Sequence, residues 1–381
     1  MTDTQTAHTA TESVSLVHDY LLVMRGAERT FAAMAEMYPH AEIFTLLYDE
    51  SGTNERFAGR SITTSPLQRL GTVQANFRRL LPLYPWAVER LRLPPVDVVL
   101  SSSSAFAHGV HVPPGAIHVC YCHTPFRYAW NEQTRALGEA PAPLRPLLRR
   151  LLVRMRRWDL AASGQVDVYI ANAQLTRERI RLYYGRDAAI VHPPVDTARF
   201  TPGEPGDWLL VVSEIVSHKR LQVALEAARR ASAPIRLVGS GPDYAALKDA
   251  YPEADFLGRV SDEELAGLYA SARAVVVPSM EEFGITAVEA QAAGRPVIAA
   301  ASGGALETVI DGCTGLLATL DDIDSFQRAI EAIDDLDCEA AQMVRNAERF
   351  SAAAFQEGIS AQVKMALEDT AQSRHAHARL R

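Results

Sequence analysis

Two glutamates eight residues apart, Glu281 and Glu289, offer the most direct chemistry in the chain. They flank Glu282-Phe283-Gly284-Ile285-Thr286 and follow an apolar run that ends in Val277-Pro278. With a helix starting near Ile285, Glu281 stands in the loop before it and Glu289 on its second turn. The amides around Phe283, Gly284 and Ile285 then point outward from the helix N-terminus, where polar or anionic ligand atoms are stabilised. Carboxylates accept hydrogen bonds, so the pair suits a ligand with paired hydroxyls. The plainer alternative is a solvated helix start whose acids are favoured by the helix dipole. Other polar residues also follow apolar runs. Lys219 and Arg220 come after Val212-Ser213-Glu214, and Gly258-Arg259-Val260 comes after Leu257. Gly239-Ser240-Gly241 serves either close ligand approach or a tight turn. His123 follows Ile117–Cys122, and Arg25-Gly26 lies in the loop after Val14–Val17.

These residues need elements to position them. Short apolar runs read as strands at 14–17, 43–48, 96–101, 117–122, 168–171 and 189–192, with helical spacing between several of them. Pro193-Pro194, with Pro202 and Pro205, marks a domain boundary near 193–206. A second series places strands at 208–212, 235–238, 255–257, 274–277, 297–300 and 315–318. Helices are expected between them, near 219–231, 242–250, 261–272, 286–294 and 304–311. Strands alternating with helices predict an α/β chain with two doubly wound parallel sheets. The expected domains are 14–192 and 193–350, after a disordered lead-in at 1–13. The segment 351–381 is expected to form a helix packing back on the first domain, ending in a frayed tail at 371–381. Ligands of such sheets bind at the carboxyl ends of the strands, so the cleft between two sheets is the expected site.

Composition narrows the classes. The chain has 381 residues, 38 basic and 46 acidic, for a net charge of -8. That balance disfavours broad nucleic-acid binding. Four cysteines make no disulfide scaffold and suit a reducing compartment. The polar N-terminus has no signal-peptide core, and no 18-residue apolar stretch exists to span a membrane. A cytoplasmic location is expected. His108, His111, His118, Cys120, Cys122 and His123 invite a zinc reading, but no matching Cys or His pair completes it, so no metal is expected. Asp322-x-Asp324 and Asp335-x-Asp337 read as solvated faces. Residues 144–158 combine leucine and arginine in blocks. This suits a helix lying on an anionic membrane, peripheral at the inner face, or an amphipathic packing helix with solvated arginines.

The string from Glu281 to Glu289, continued by Ala290-Gln291-Ala292-Ala293-Gly294-Arg295-Pro296-Val297, resembles the retaining glycosyltransferases of family 4, which have the GT-B fold. Two further stretches are similar to bacterial mannosyltransferase-like enzymes of surface-polysaccharide assembly within that family. They are Val17-His18-Asp19-Tyr20 with Met24–Glu28, and Tyr121–Trp130. The resemblance implies hexosyl transfer from a nucleotide sugar to a glycan or lipid-linked acceptor, with GDP-mannose as the first donor guess. It implies that Glu281 touches sugar hydroxyls, that the Phe283 and Gly284 amides hold sugar or phosphate, and that Glu289 binds the ribose. Lys219 matches the family lysine on the diphosphate, with Arg220 a further donor contact. Gly26 would let the backbone approach the diphosphate, and Arg25 would add charge. The main chain at Gly258, Arg259 and Val260 would meet the nucleobase, beside Gly239. His123 would contact donor sugar or acceptor, and Arg127 either the acceptor or a loop partner. One position departs from the pattern, because Glu214 stands where the family has a diphosphate arginine. At about 4 Å and an effective dielectric near 20, that reverses a term of about 4 kcal/mol. Either Arg220 or Arg25 compensates, or Glu214 faces the acceptor, or donor binding is weak. The rival functions are transfer to a soluble natural-product acceptor and a degenerate nucleotide-sugar-binding subunit.

Overall fold

The computed structural model describes residues 12–70 and 77–379, so most of the expected lead-in lies outside the described residues. The chain divides into two units. One comprises Met1–Asn172, Thr176–Val191 and Gln356–Arg381, and the other Ala173–Leu175 with His192–Phe355.

The first unit holds a parallel sheet of β1 (Val14–His18), β2 (Glu42–Thr45), β3 (Ile62–Thr64), β4 (Val98–Ser103), β5 (Ile117–Cys122), β6 (Val168–Ala171) and β7 (Ala188–Ile190). Their order is β3-β2-β1-β4-β5-β6-β7. The second unit holds β8 (Leu209–Val212), β9 (Ile235–Val238), β10 (Asp255–Gly258), β11 (Ala274–Val277), β12 (Val297–Ala300) and β13 (Gly315–Ala318). Their order is β10-β9-β8-β11-β12-β13, and every pair is parallel. Both sheets are doubly wound, as the alternation of strand and helix predicts. β3 escapes the sequence reading because three half-buried residues, Ile-Thr-Thr, carry no period. The expected frayed tail is instead helical as far as Arg379, within the helix Ala352–Arg379. Residues 371–379 contain no Gly or Pro, so nothing in them stops a helix.

Burial explains why these strands read as apolar runs. Leu209, Val211, Val276 and Ile298 pack with Leu221, Leu225, Phe326 and Ile330 of the helices Leu221–Arg230 and Ile323–Ala332. Their neighbours Leu210, Val275, Val277 and Val297 belong to the other core, with Ala287 and Val288 of the helix Ile285–Ala292. Alternate side chains leave opposite faces of a strand, so helices on both faces leave no polar position. Each fully buried Val or Leu contributes roughly 1.5–3 kcal/mol.

The winding reverses between β1 and β4 in one sheet and between β8 and β11 in the other. The carboxyl ends of those four strands are the ligand positions of such sheets. They end in His18, Ser103, Val212 and Val277.

Candidate functional site

In the first unit, the end of β4 is a serine run, and each serine meets a histidine. Ser101 Oγ lies 2.8 Å from His118 Nε2, and Ser103 Oγ 3.1 Å from His108 Nδ1. Ser102 Oγ serves two rings, at 3.0 Å from His18 Nδ1 and 2.8 Å from His123 Nε2. A hydroxyl has one proton, so Ser102 donates to one ring and accepts from the other. The two imidazoles therefore take opposite roles at those nitrogens. His18 also stacks on Phe31, with centroids 4.7 Å apart. Burial holds His123 down to about 3, with the Arg127 charge adding to it. Burial, then His123, holds His18 down to about 3 as well. Both rings are therefore held in their neutral, hydrogen-bonding form. Arg127 itself is exposed in the turn after β5.

Asp19, one residue past β1, accepts from the amides of Ser104, Phe106 and Ala107 at 2.6, 2.8 and 2.6 Å. It fastens the loop after β4 to the end of β1. Burial raises its carboxyl despite those amides. Arg25 and Gly26 are exposed, and Gly26 opens the helix Gly26–Met37. The Glu28 carboxylate accepts from the Arg25 amide at 3.1 Å, which caps that helix.

In the second unit, Lys219 ends the turn after β8 and Glu281 stands in the loop after β11. Lys219 Nζ donates to both Glu281 oxygens at 2.7 Å, and Ser279 Oγ donates to Oε1 at 2.6 Å. The pair is half-buried at this unit's switch point. Gly303 and Gly304 support it from the turn after β12. The Gly304 amide donates to the Glu281 carbonyl at 2.8 Å. A Cβ on Gly304 would lie 2.1 Å from the Phe283 carbonyl oxygen. Gly304→Ala should therefore displace the 281–284 loop. We expect a loss of about 1–3 kcal/mol, seen as a fall of several degrees in Tm.

Gly284 adopts φ 87°, a left-handed conformation that favours glycine, and caps the helix Ile285–Ala292. The Phe283 ring is buried 5.4 Å from His192 and 5.4 Å from Phe350, so only its main chain is available to a ligand. Ile285 packs against the core. Glu289 is 9% exposed and already engaged. Tyr269 Oη donates to it at 2.9 Å, and Arg199 Nη2 lies 3.4 Å away. Burial and this carboxylate keep the Tyr269 phenol protonated.

The glycines after β9 and β10 divide. A Cβ on Gly239 would lie 1.8 Å from the Ser213 carbonyl oxygen, and one on Gly241 2.1 Å from that of Ile215. Close packing of the chain's own loop thus requires both glycines, which is the tight-turn alternative. Gly258, at φ 71°, has open space where a Cβ would stand. The two loops are joined by Gly239 N donating to Gly258 O at 2.7 Å and by Arg259 Nε donating to Ser240 Oγ at 2.9 Å. Val260 packs against the core. Arg220, at φ 54°, pairs with Asp321 at 3.1 Å. Glu214 is exposed. Asp322 caps the helix Ile323–Ala332, and Asp324 pairs with Arg230 at 2.7 Å. No group of three His, Cys, Asp or Glu among the described residues is arranged for a metal.

The structure thus brings Lys219 and Glu281 into contact and gathers Gly239, Gly258 and Arg259. It engages Glu289 and Arg220 with other residues. Sequence reasoning missed His18, Asp19 and Ser102 as site residues, and also Ser279, Tyr269, Arg199 and Gly303-Gly304. Polar residues directly after buried strands were the available signal for His18-Asp19, Ser102 and Ser279.

Comparison with known proteins gives the class. The family model for glycosyl transferases group 1 matches residues 197–350, and that for glycosyltransferase family 4 matches 24–199. The Anabaena HepE protein, solved in complex with UDP, aligns with a TM-score of 0.67 at 18% identity, over 93% of this chain and 100% of that one. Sucrose-phosphate synthase from Thermosynechococcus elongatus aligns with a TM-score of 0.70 at 17% identity, over 93% and 98%. The fold is the GT-B fold, and the chain belongs to the family 4 glycosyltransferases. Among curated relatives, a D-inositol 3-phosphate glycosyltransferase of Mycolicibacterium smegmatis is 32% identical over 61% of this chain and 59% of its own length. One of the same name from Frankia alni is 40% identical over 34% and 40%. The chain spans 59% or less of the length of these relatives.

Proposed function

We propose that the chain transfers a hexosyl group from a nucleoside diphosphate sugar to an acceptor hydroxyl, with retention at the anomeric carbon. The observation that carries this reading is the Lys219–Glu281 contact at the switch point of the second sheet. A donor diphosphate competes with Glu281 for the Lys219 ammonium. Glu281, released, accepts from sugar hydroxyls while Ser279 still holds one of its oxygens. The acceptor oxygen bonds to the anomeric carbon on the face from which the phosphate oxygen leaves. The acceptor proton passes to that departing oxygen. Lys219 and the amides at Phe283–Ile285 stabilise its charge, so the reaction as proposed requires no metal. Within the first unit, Arg25 and Arg127 are exposed cations suited to an anionic acceptor.

The donor base is the finer question. The mannosyltransferase-like stretches favour GDP-mannose, whereas the HepE structures hold UDP and UDP-glucose. The names of the relatives favour an inositol phosphate acceptor over a glycan. The test is turnover across GDP-, UDP- and dTDP-sugars, with inositol phosphate or lipid extract as acceptor and Glu281→Ala as control. One donor consumed by the wild type alone, giving an α-linked product, is the expected result. Binding without turnover on every acceptor would favour a degenerate subunit, the reading that exposed Glu214 supports. No binding of any donor would overturn both.

A further inference from the structure

The arginine-rich helix Arg145–Ser163 takes no part in the chemistry above, and its exposed face lacks the features of an ordinary solvated one. It carries six arginines against one acidic residue, Asp159, in a chain that has 46 acidic and 38 basic residues overall. Asp159 points inward, fully buried, and accepts from Trp130 Nε1 at 2.7 Å and Tyr184 Oη at 2.8 Å. Leu152, Met155 and Ala162 complete that inner face. The outer face bears Arg149, Arg150, Arg154 and Arg157, all exposed. A helix stabilised by its own surface would set glutamates four residues from these arginines. Here Arg150 is followed at that spacing by Arg154, and Arg149 by Val153 and Arg157 in turn.

Apolar side chains are interleaved with the arginines. Leu147 is 67% exposed, Leu160 47% and Val153 39%. Arg149, Arg150, Val153, Arg154 and Arg157 line one shallow groove. On the inner edge, Trp158 Nε1 donates to Glu89 at 2.7 Å, which ties the short helix Tyr84–Val88 alongside. That helix exposes Trp86, with the Arg90 guanidinium 4.7 Å over its ring. Cations set around exposed leucine and valine match an anionic bilayer surface. Phosphates there meet the arginines, and the apolar groups enter the headgroup boundary. A polyanion free in water would use the cations alone.

We propose that this face docks the chain on anionic lipid bilayers. The attachment through these arginines is electrostatic and reversible by salt; no helix among the described residues is long and apolar enough to cross a membrane. The inference goes beyond the transfer reading and is tested without any donor or acceptor.

The experiment is co-sedimentation of the full chain with vesicles of phosphatidylcholine alone, or with roughly one-third phosphatidylglycerol. Binding is expected to the anionic vesicles only and to fall as salt rises. At about 1 kcal/mol per arginine, Arg150→Ala with Arg154→Ala should weaken the partition roughly 30-fold. Both side chains are exposed, so Tm should stay unchanged, which separates lost docking from lost folding. Val153→Ser should weaken vesicle binding yet leave retention on heparin unaltered. No binding to anionic vesicles, equal binding to neutral ones, or indifference to the arginine substitutions would each overturn the proposal. Heparin retention without vesicle binding would do so too, marking the face as a polyanion site.

Discussion

Lys219→Ala should lower kcat/KM for nucleotide-sugar turnover by about 100- to 1000-fold while leaving the chain folded. The activity loss follows from where the ammonium sits. It is held 2.7 Å from both oxygens of Glu281, at the carboxyl edge of β8 and β11. A bound diphosphate takes the ammonium over from Glu281, and a charge already placed at that edge then meets the negative charge that develops on the leaving oxygen. The small stability effect follows from exposure, because Lys219 and Glu281 side chains are 23% and 25% exposed. Partly solvated pairs contribute only about 1 kcal/mol or less, so Tm should move by a few degrees at most. Lys219→Arg should recover only part of the rate, since a planar fork does not present its charge to a diphosphate as a compact ammonium does. The double variant with Glu281→Ala adds a second reading. If both groups act on one bound donor, its loss should be much smaller than the product of the two single losses. Initial rates with the preferred donor, with circular dichroism as the folding control, decide it. Turnover within threefold of wild type in Lys219→Ala would remove Lys219 from the phosphate.

How far the site was legible in the sequence depends on whether its residues act through local chain or across strands. The loop and helix from Glu281 to Glu289 were legible because their spacing is local. Gly284 and the helix start define where the amides point, and both lie within a few residues of the glutamates. The same holds for Lys219, one turn past the end of β8. The Lys219–Glu281 contact was not legible, since it joins residues 62 apart that only the pairing of β8 with β11 brings together. Nor was the serine and histidine array. It depends on the register of β4 between β1 and β5, which sets Ser102 opposite His18 on one side and Tyr121 on the other. Four serines in a row read as a polar strand end and carry no partner information. Gly239 shows a different limit. Its type is legible in the sequence, but its close packing on the Ser213 carbonyl depends on the path of the 213–215 loop.

The same buried array makes stability sensitive to acid, and His118 offers the cleanest measurement. Burial, helped by neighbouring His108, holds its ring down to about 3, against about 6.5 for an exposed histidine. The folded-state value is depressed, so the stability it contributes is complete above pH 6.5. That contribution is lost as pH falls from 6.5 towards 3, because the unfolded chain takes a proton the folded chain refuses. One such proton gives a slope of about 1.4 kcal/mol per pH unit, and the whole interval amounts to about 4–5 kcal/mol. His18 and His123 act in the same sense. Asp19 and Asp159 act against them, since burial raises both carboxyls and the folded chain takes their protons first. A total slope therefore mixes signs, whereas the difference between wild type and a single variant does not. His118→Gln keeps a polar nitrogen within reach of Ser101 Oγ but does not titrate. It should be less stable than wild type at pH 7, yet lose about 1.4 kcal/mol less per pH unit between pH 6 and 4. Urea unfolding followed by tryptophan fluorescence reads this directly, because Trp86, Trp130 and Trp158 of the four tryptophans lie in the first unit. Parallel pH profiles for the two proteins would mean that His118 takes its proton in the folded chain, and that the ring is not held neutral by its burial.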